Sequence, residues 1–215
     1  YLAKLLREKQ YEVHGLIHKQ TPEGIEGVLL HKGDLTDAGS LREIINNVRP
    51  NELYNLAGQS SVAESISKPE VTAETTGLGP IHILEALRDL SPQTKFCQAG
   101  SSEIFAKSTD SPPYRETSII APNNPYGAAK AFAHHMTKEY RKRHELFACN
   151  AILFNHESPR RPERFVSRKI AKGVARIKRG LQEKLYLGNL HTSRDWGYAP
   201  EYVEGMWRIL QLSSA

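Results

Sequence analysis

Apolar residues along this chain follow two rhythms. Short apolar runs alternate with longer stretches in which apolar positions recur at three- and four-residue spacing, the marks of strands and helices. Residues 1–9 predict a helix with Leu2, Leu5 and Leu6 on one face. Residues 12–17 and 27–31 read as strands. Thr36 predicts the cap of a helix carrying Leu41, Ile44, Ile45 and Val48, closed by Pro50. Residues 53–57 read as a buried strand, followed by a long helix to about residue 90 and a strand at 95–99. Residues 108–125 are rich in Pro, Ser, Asn and Thr and predict a surface loop. A helix from 126 to about 144 follows, then a strand at 147–154, a basic helix, a short strand at 184–187 and a last helix from about 200. This alternation predicts an α/β fold, with a Rossmann-like doubly wound parallel sheet and helices on both faces.

Composition changes this picture little. The chain has 215 residues, 39% hydrophobic and 25% charged, as expected for a globular protein with a sizeable core. No apolar run approaches the ~18 residues of a membrane helix, and no basic-then-apolar signal peptide opens the chain. Cys97 and Cys149 each sit in an apolar run and read as buried thiols, which fits a reducing, cytoplasmic setting. The nine His show no ligand spacing, so no metal is expected. The net charge of +5 is mild, yet residues 159–184 carry ten Lys/Arg and only two Glu. A solvated helix face explains such a run. So does a pocket for a small anionic ligand such as a diphosphate. No aromatic platform accompanies it, which weighs against nucleic acid.

The sharpest chemistry lies in Pro125-Tyr126-Gly127-Ala128-Ala129-Lys130. On a helix, Tyr126 and Lys130 face the same way. An ammonium beside a phenol stabilises the phenolate, so the tyrosine can act as a base well below its usual pKa of about 10. That pair suits proton removal from a hydroxyl while a nicotinamide takes the hydride. Tyr-x-x-x-Lys alone also occurs on ordinary surface helices. Here it follows Ser101-Ser102-Glu103 at the end of the apolar run 95–99, a rarer combination.

Further segments stand beside it: Gly33-Asp34-Leu35-Thr36-Asp37, Tyr54-Asn55-Leu56-Ala57-Gly58-Gln59-Ser60, Asn155-His156-Glu157-Ser158-Pro159-Arg160-Arg161, and Arg194-Asp195-Trp196-Gly197. On these the chain resembles the extended short-chain dehydrogenase/reductases that act on nucleotide sugars, and within them the GDP-mannose 4,6-dehydratase family. The resemblance covers nearly the whole chain. It implies an NADP-binding region over 1–154 and a partial substrate-binding region over 155–215. It implies a lyase that holds NADP, oxidises C4 of the sugar, loses water across C5 and C6, and returns the hydride to C6. By the same resemblance Tyr126 takes the O4 proton, Lys130 lowers its pKa and holds the nicotinamide ribose, Ser101 bonds O4, and Glu103 removes the C5 proton. A turn or helix cap is the plainer reading of Ser101, and a solvated loop carboxylate that of Glu103.

The resemblance also assigns binding residues. Asp34 and Leu35 fall beside the adenine. Leu56, Ala57, Gly58, Gln59 and Ser60 form a loop at the cofactor, and His156 and Arg161 are further cofactor contacts. His18 and Lys19 fall at the 2′-phosphate, where an acidic residue would select NAD instead. Asn155, Val166, Lys169 and Arg194 meet the nucleotide sugar. A homo-oligomer is implied, through the helices around 77–90 and 132–140.

Some features depart from the family pattern. Asn123-Asn124 stands where Arg-Ser is common, Gly100 where Ser is usual, and Val71 where a Tyr often contacts the cofactor. No Gly-x-x-Gly-x-x-Gly loop occurs. The expectation is a piece of a natural protein, inactive or nearly so without that loop; the other reading is a protein that has lost its cofactor site. An epimerase or reductase on another nucleotide sugar, or a non-catalytic binding protein, are the alternative functions. Glu103 after Ser-Ser favours dehydration, because epimerisation and reduction need no C5 base.

Overall fold

A computed structural model describes residues 1–18 and 26–215. The chain divides into two compact units, Tyr1–Leu153 with Val203–Ala215, and Phe154–Tyr202. The last helix returns to the first unit because Met206 and Leu210 bury against Cys97, Ala99 and Ala151.

In the first unit, α1 (Leu2–Glu8) packs Leu2 and Leu6 with Val13. Strand β1 (Val13–Ile17) pairs in parallel with β2 (Val28–Lys32), Val13 opposite Val28. Helix α2 (Ala38–Val48) is capped by Asp37 rather than Thr36. The Asp37 carboxylate accepts from the Gly39 and Ser40 amides, while Thr36 donates its hydroxyl to Asp34. Arg49, in the left-handed region at φ 47°, ends the helix one residue before Pro50.

Strands β3 (Glu52–Asn55), β4 (Lys95–Ala99) and β5 (Ala148–Ala151) form a parallel three-stranded sheet, with Asn55 opposite Gln98 and Ala99 opposite Ala151. Strand β3 stops short of the expected residue 57 because the Asn55 side chain accepts from the Ala57 amide and turns the chain. The expected long helix arrives in pieces: α3 (Val62–Ser67), α4 (Pro69–Thr72), a π-helical stretch (Ala73–Leu78) and α5 (Gly79–Leu90). Pro69 has no N–H to continue a helix and holds Lys68 out of helical geometry, at φ −134° and ψ 63°.

Helix α6 (Pro125–His144) follows the irregular 108–124 stretch. Alternation along β4 sends its side chains to two layers. Phe96 joins Leu84, Leu87 and Tyr140 of α5 and α6 on one face. Cys97 and Ala99 meet Met206 and Leu210 of α8 (Ala199–Leu210) on the other. Helices thus cover both faces of a parallel sheet, which is the α/β class the sequence predicts.

In the second unit, β6 (Asn155–Glu157) pairs in parallel with β7 (Trp196–Tyr198). Helix α7 (Val166–Lys178) lies between them in sequence. Residues 184–187 form no strand; Leu185 packs over Gly173 of α7, so this stretch is anchored by its side chain rather than by a ladder. Among the described residues, no helix is long and apolar enough to cross a membrane.

Candidate active site

The carboxyl end of a parallel strand is where α/β folds place ligands, and β4 ends at Ala99. Gly100 keeps the turn tight: its amide donates to the Ala151 carbonyl at 2.7 Å. Ser101 then caps a 3₁₀ turn (Ser102–Phe105), its Oγ accepting from the Glu103 amide at 3.2 Å. The plainer reading of Ser101 as a cap therefore holds. Its hydroxyl hydrogen is still able to donate to a ligand. Glu103 is half-buried, and its Oε2 accepts from Nδ2 of Asn124 at 2.9 Å.

Asn124 is also the N-cap of α6, with Pro125 at the first helical position. One helical turn separates Tyr126 from Lys130, whose Nζ lies 5.9 Å from the Tyr126 ring centroid. Lys130 is 6% exposed and donates to the Ala99 carbonyl at 2.8 Å. Burial pushes its ammonium down from the usual range to about 8. This hydrogen bond ties the Tyr/Lys helix to the end of β4. Ser101, Glu103, Tyr126 and Lys130 thus share the β4 end and the first turns of α6.

The loop after β3 is exposed at Leu56, Ala57, Gly58 and Ser60. Gly58 has φ 139°, a conformation that favours glycine. Gln59 is held on both sides of its peptide: its amide donates to Thr76 Oγ1 at 3.0 Å, and Thr76 Oγ1 donates to its carbonyl at 3.2 Å. Beneath the loop, Asn55 donates to Gln98 at 2.8 Å between buried side chains.

At the ends of β1 and β2 the structure brings two of the expected cofactor contacts together. His18 and Asp34, read as contacts to different parts of a cofactor, pair with each other at 2.7 Å. They meet because each follows one of two adjacent parallel strands. The Leu35 side chain is in the core against Gly79, and its carbonyl is bonded by His82 Nδ1 at 2.8 Å. Lys19 lies outside the described residues.

The remaining expected contacts belong to the second unit. Asn155 donates to the Asp195 carbonyl at 3.2 Å, and His156 bonds the Phe154 carbonyl at 2.9 Å. The Arg161 guanidinium lies 3.1 Å from the Glu157 carboxylate and 3.7 Å from the Phe165 ring centroid. Val166 opens α7 and Lys169 follows one turn on, both exposed. Lys169 lines an open cavity of about 450 Å³ with Lys172, Arg176, Leu185 and Tyr186. Arg194 is exposed and donates to the Ser193 carbonyl at 2.8 Å.

Two residues in this architecture were given no site role by the sequence reading. Thr76 is 1% exposed and reaches the β3 loop from the π-helical stretch, which no periodicity reveals. Asn124 carried a signal, since Asn directly before Pro is a helix-start pattern.

The family model described as GDP-mannose 4,6 dehydratase matches residues 1–215. GDP-mannose 4,6 dehydratase 1 of Arabidopsis thaliana is 48% identical over 230 residues, covering 98% of this chain and 63% of that protein. The Homo sapiens GDP-mannose 4,6 dehydratase is 45% identical over 228 residues, covering 98% of this chain and 61% of that protein. The chain therefore spans less than two thirds of the length of these relatives. The solved structure of RMD from Pseudomonas aeruginosa complexed with NADPH has a TM-score of 0.82 at 26% identity, covering 100% of this chain and 70% of that one. DesIV, a dTDP-glucose 4,6-dehydratase from Streptomyces venezuelae, has a TM-score of 0.83 at 20% identity, covering 100% of this chain and 69% of that one, and shows the shared fold.

Proposed function

The chain belongs to the GDP-mannose 4,6-dehydratase family, and from that premise we propose that it converts GDP-mannose to GDP-4-keto-6-deoxymannose with NADP as a resident hydride carrier. The observation that carries the reading is the β4 end. There a phenol and an ammonium on one helix share a strand terminus with a half-buried carboxylate.

The residues present fit a dinucleotide. Exposed small residues around Gly58 let backbone approach a ligand, and Lys130 spends one of its three N–H bonds on Ala99, leaving donors for ribose hydroxyls. When bound, NADP would supply the hydride acceptor for C4 and the hydride donor for C6, so the overall change is redox-neutral. Tyr126, as phenolate, takes the O4 proton as C4 is oxidised, and the Lys130 charge favours that phenolate. The new C4 carbonyl acidifies the C5 proton, which Glu103 removes. Glu103 then delivers that proton to the departing C6 hydroxyl and water leaves; as hydride returns to C6, C5 takes a proton from solvent, balanced by the O4 proton that Tyr126 releases to solvent. Ser101 donates to O4. In the second unit, Lys169 and Arg176 line a cavity with Lys172, which is paired with Glu163, and this basic lining supports an anionic ligand there.

NADP rather than NAD rests on the basic His18-Lys19 pair in the sequence and on the NADPH-bound relative. His18 is engaged by Asp34, so Lys19 is the residue to test. Titration of both cofactors into the full-length protein is expected to show tighter binding of NADP. Lys19→Glu should narrow or reverse that preference. Equal affinities in the unaltered protein would overturn it.

We also propose a homodimer through the outer faces of the π stretch, α5 and α6, where Leu78 is 47% and Phe132 44% exposed. Light scattering should give twice the protomer mass, and Phe132→Glu should shift it toward one protomer. A monomer before substitution would contradict the proposal. The buried free thiols Cys97 and Cys149 support a reducing compartment, consistent with the cytoplasm.

A further inference from the structure

We infer that Asn124 is a positioning residue for Glu103, joining the proton-shuttling carboxylate to the start of the Tyr126 helix through a single amide. Its contacts leave no ambiguity in the amide's orientation. The Gly127 amide can only donate, and it points at Asn124 Oδ1 at 2.8 Å. Nδ2 must therefore face the other way. There it donates to Glu103 Oε2 at 2.9 Å and to Asn123 Oδ1 at 2.9 Å. Every polar atom of the side chain has a partner.

The backbone fixes both ends of this link. Glu103 sits inside the 3₁₀ turn that Ser101 caps, so its Cα follows the end of β4. Asn124 is fixed by its own capping bond and by Pro125. Helix α6 also rests on the Glu103 backbone at Gly127, where a Cβ would come within 2.7 Å of the Glu103 carbonyl oxygen. The carboxylate therefore cannot swing far without losing the amide, and the amide cannot move without releasing the cap. One Glu103 oxygen is held while the other remains for chemistry. A carboxylate that must take a proton at C5 and deliver it near C6 benefits from one fixed oxygen as a pivot.

The role depends on the dehydratase reading, because the shuttle belongs to that reaction; the contact itself does not. Aspartate caps helices about as well as asparagine. Asn124→Asp keeps an acceptor for Gly127 but replaces the amide donor with a like charge against Glu103. In the full-length protein with GDP-mannose and NADP, Asn124→Asp should preserve the thermal midpoint and KM. Its kcat should fall about 10–100-fold, as expected for loss of a hydrogen bond to a charged group. Solvent exchange at C5 should fall in parallel. Normal kcat and C5 exchange in Asn124→Asp would overturn the inference.

A second readout needs no turnover. The Asn124 side-chain amide signal in a ¹H–¹⁵N spectrum should move on Glu103→Gln, because a charged acceptor is replaced by a neutral one. An unmoved signal would show that the two groups do not meet. Failure of the unaltered protein to dehydrate GDP-mannose would instead count against the functional reading, with the amide signal still deciding the contact.

Discussion

Glu103→Gln is expected to leave the nucleotide sugar bound while slowing dehydration by about 10²–10⁴-fold, the usual cost of losing one acid–base group. The carboxamide keeps the size of the side chain but cannot accept the C5 proton. Tyr126→Phe should fail one step earlier, because the O4 proton then has no acceptor as C4 is oxidised. The two variants therefore differ in kind. With Glu103→Gln, a transient of reduced cofactor should still form, but C5 should not exchange with solvent deuterium. With Tyr126→Phe, neither event should occur. If Glu103→Gln exchanged C5 at the normal rate, another residue would be the base, and the carboxylate at the β4 end would lose its assigned role.

Lys130→Met should make the protein more stable and far less active. Lys130 is buried with one hydrogen bond, to the Ala99 carbonyl, and burial holds its ammonium at about 8 against an unfolded value of about 10.4. Below pH 8 the folded chain carries the full cost of a buried charge. Between about 8 and 10.4 the unfolded chain binds more protons than the folded one, so stability rises with pH and the cost is relieved. At about 1.4 kcal/mol per pKa unit, the cost at neutral pH is on the order of 3 kcal/mol. Methionine fills the same space without the charge but leaves Ala99 without this donor, an offset of about 1 kcal/mol. The net gain at pH 7 is then about 1–2 kcal/mol, a few degrees in thermal midpoint, shrinking toward pH 10. Turnover should fall at least about 10²-fold, since Tyr126 loses the cation that favours its phenolate. Thermal melts at both pH values, with rates at pH 7, check this. A methionine variant less stable at pH 7 would show that the bond to Ala99 outweighs the burial of the charge.

Much of the scaffold around these residues was legible in the sequence for local reasons. The apolar run 95–99 is the central strand of its sheet, buried on both faces. Pro125 before a long period-3.6 stretch marks α6 to within a residue of its true start. The failures arose where one side chain redirects the backbone. Asn55 ends β3 by bonding Ala57, Asp37 outcompetes Thr36 as a cap, and Pro69 divides a stretch whose apolar spacing looks continuous. The strand expected at 184–187 does not form; Leu185 instead packs over Gly173 of α7.

Within the site, residue types on neighbouring elements were legible because the chemistry demands them: a phenol with an ammonium one turn away, and a carboxylate at the strand end before them. Contacts between distant segments were not. The pairing of His18 with Asp34 depends on β1 and β2 lying side by side, and the grip of Thr76 on Gln59 depends on the π stretch. Asn124 shows the middle case. Its cap is a local pattern, whereas its bond to Glu103, twenty-one residues earlier, appears only in the folded chain.

The most direct test is the product that the full-length protein forms from GDP-mannose and NADP in D₂O, read by ¹H NMR. The expected product is a 4-keto-6-deoxy sugar still attached to GDP, with deuterium at C5 because C5 is reprotonated from solvent after water leaves. A sugar that keeps its C6 hydroxyl, inverted at C4 or unchanged, would contradict it.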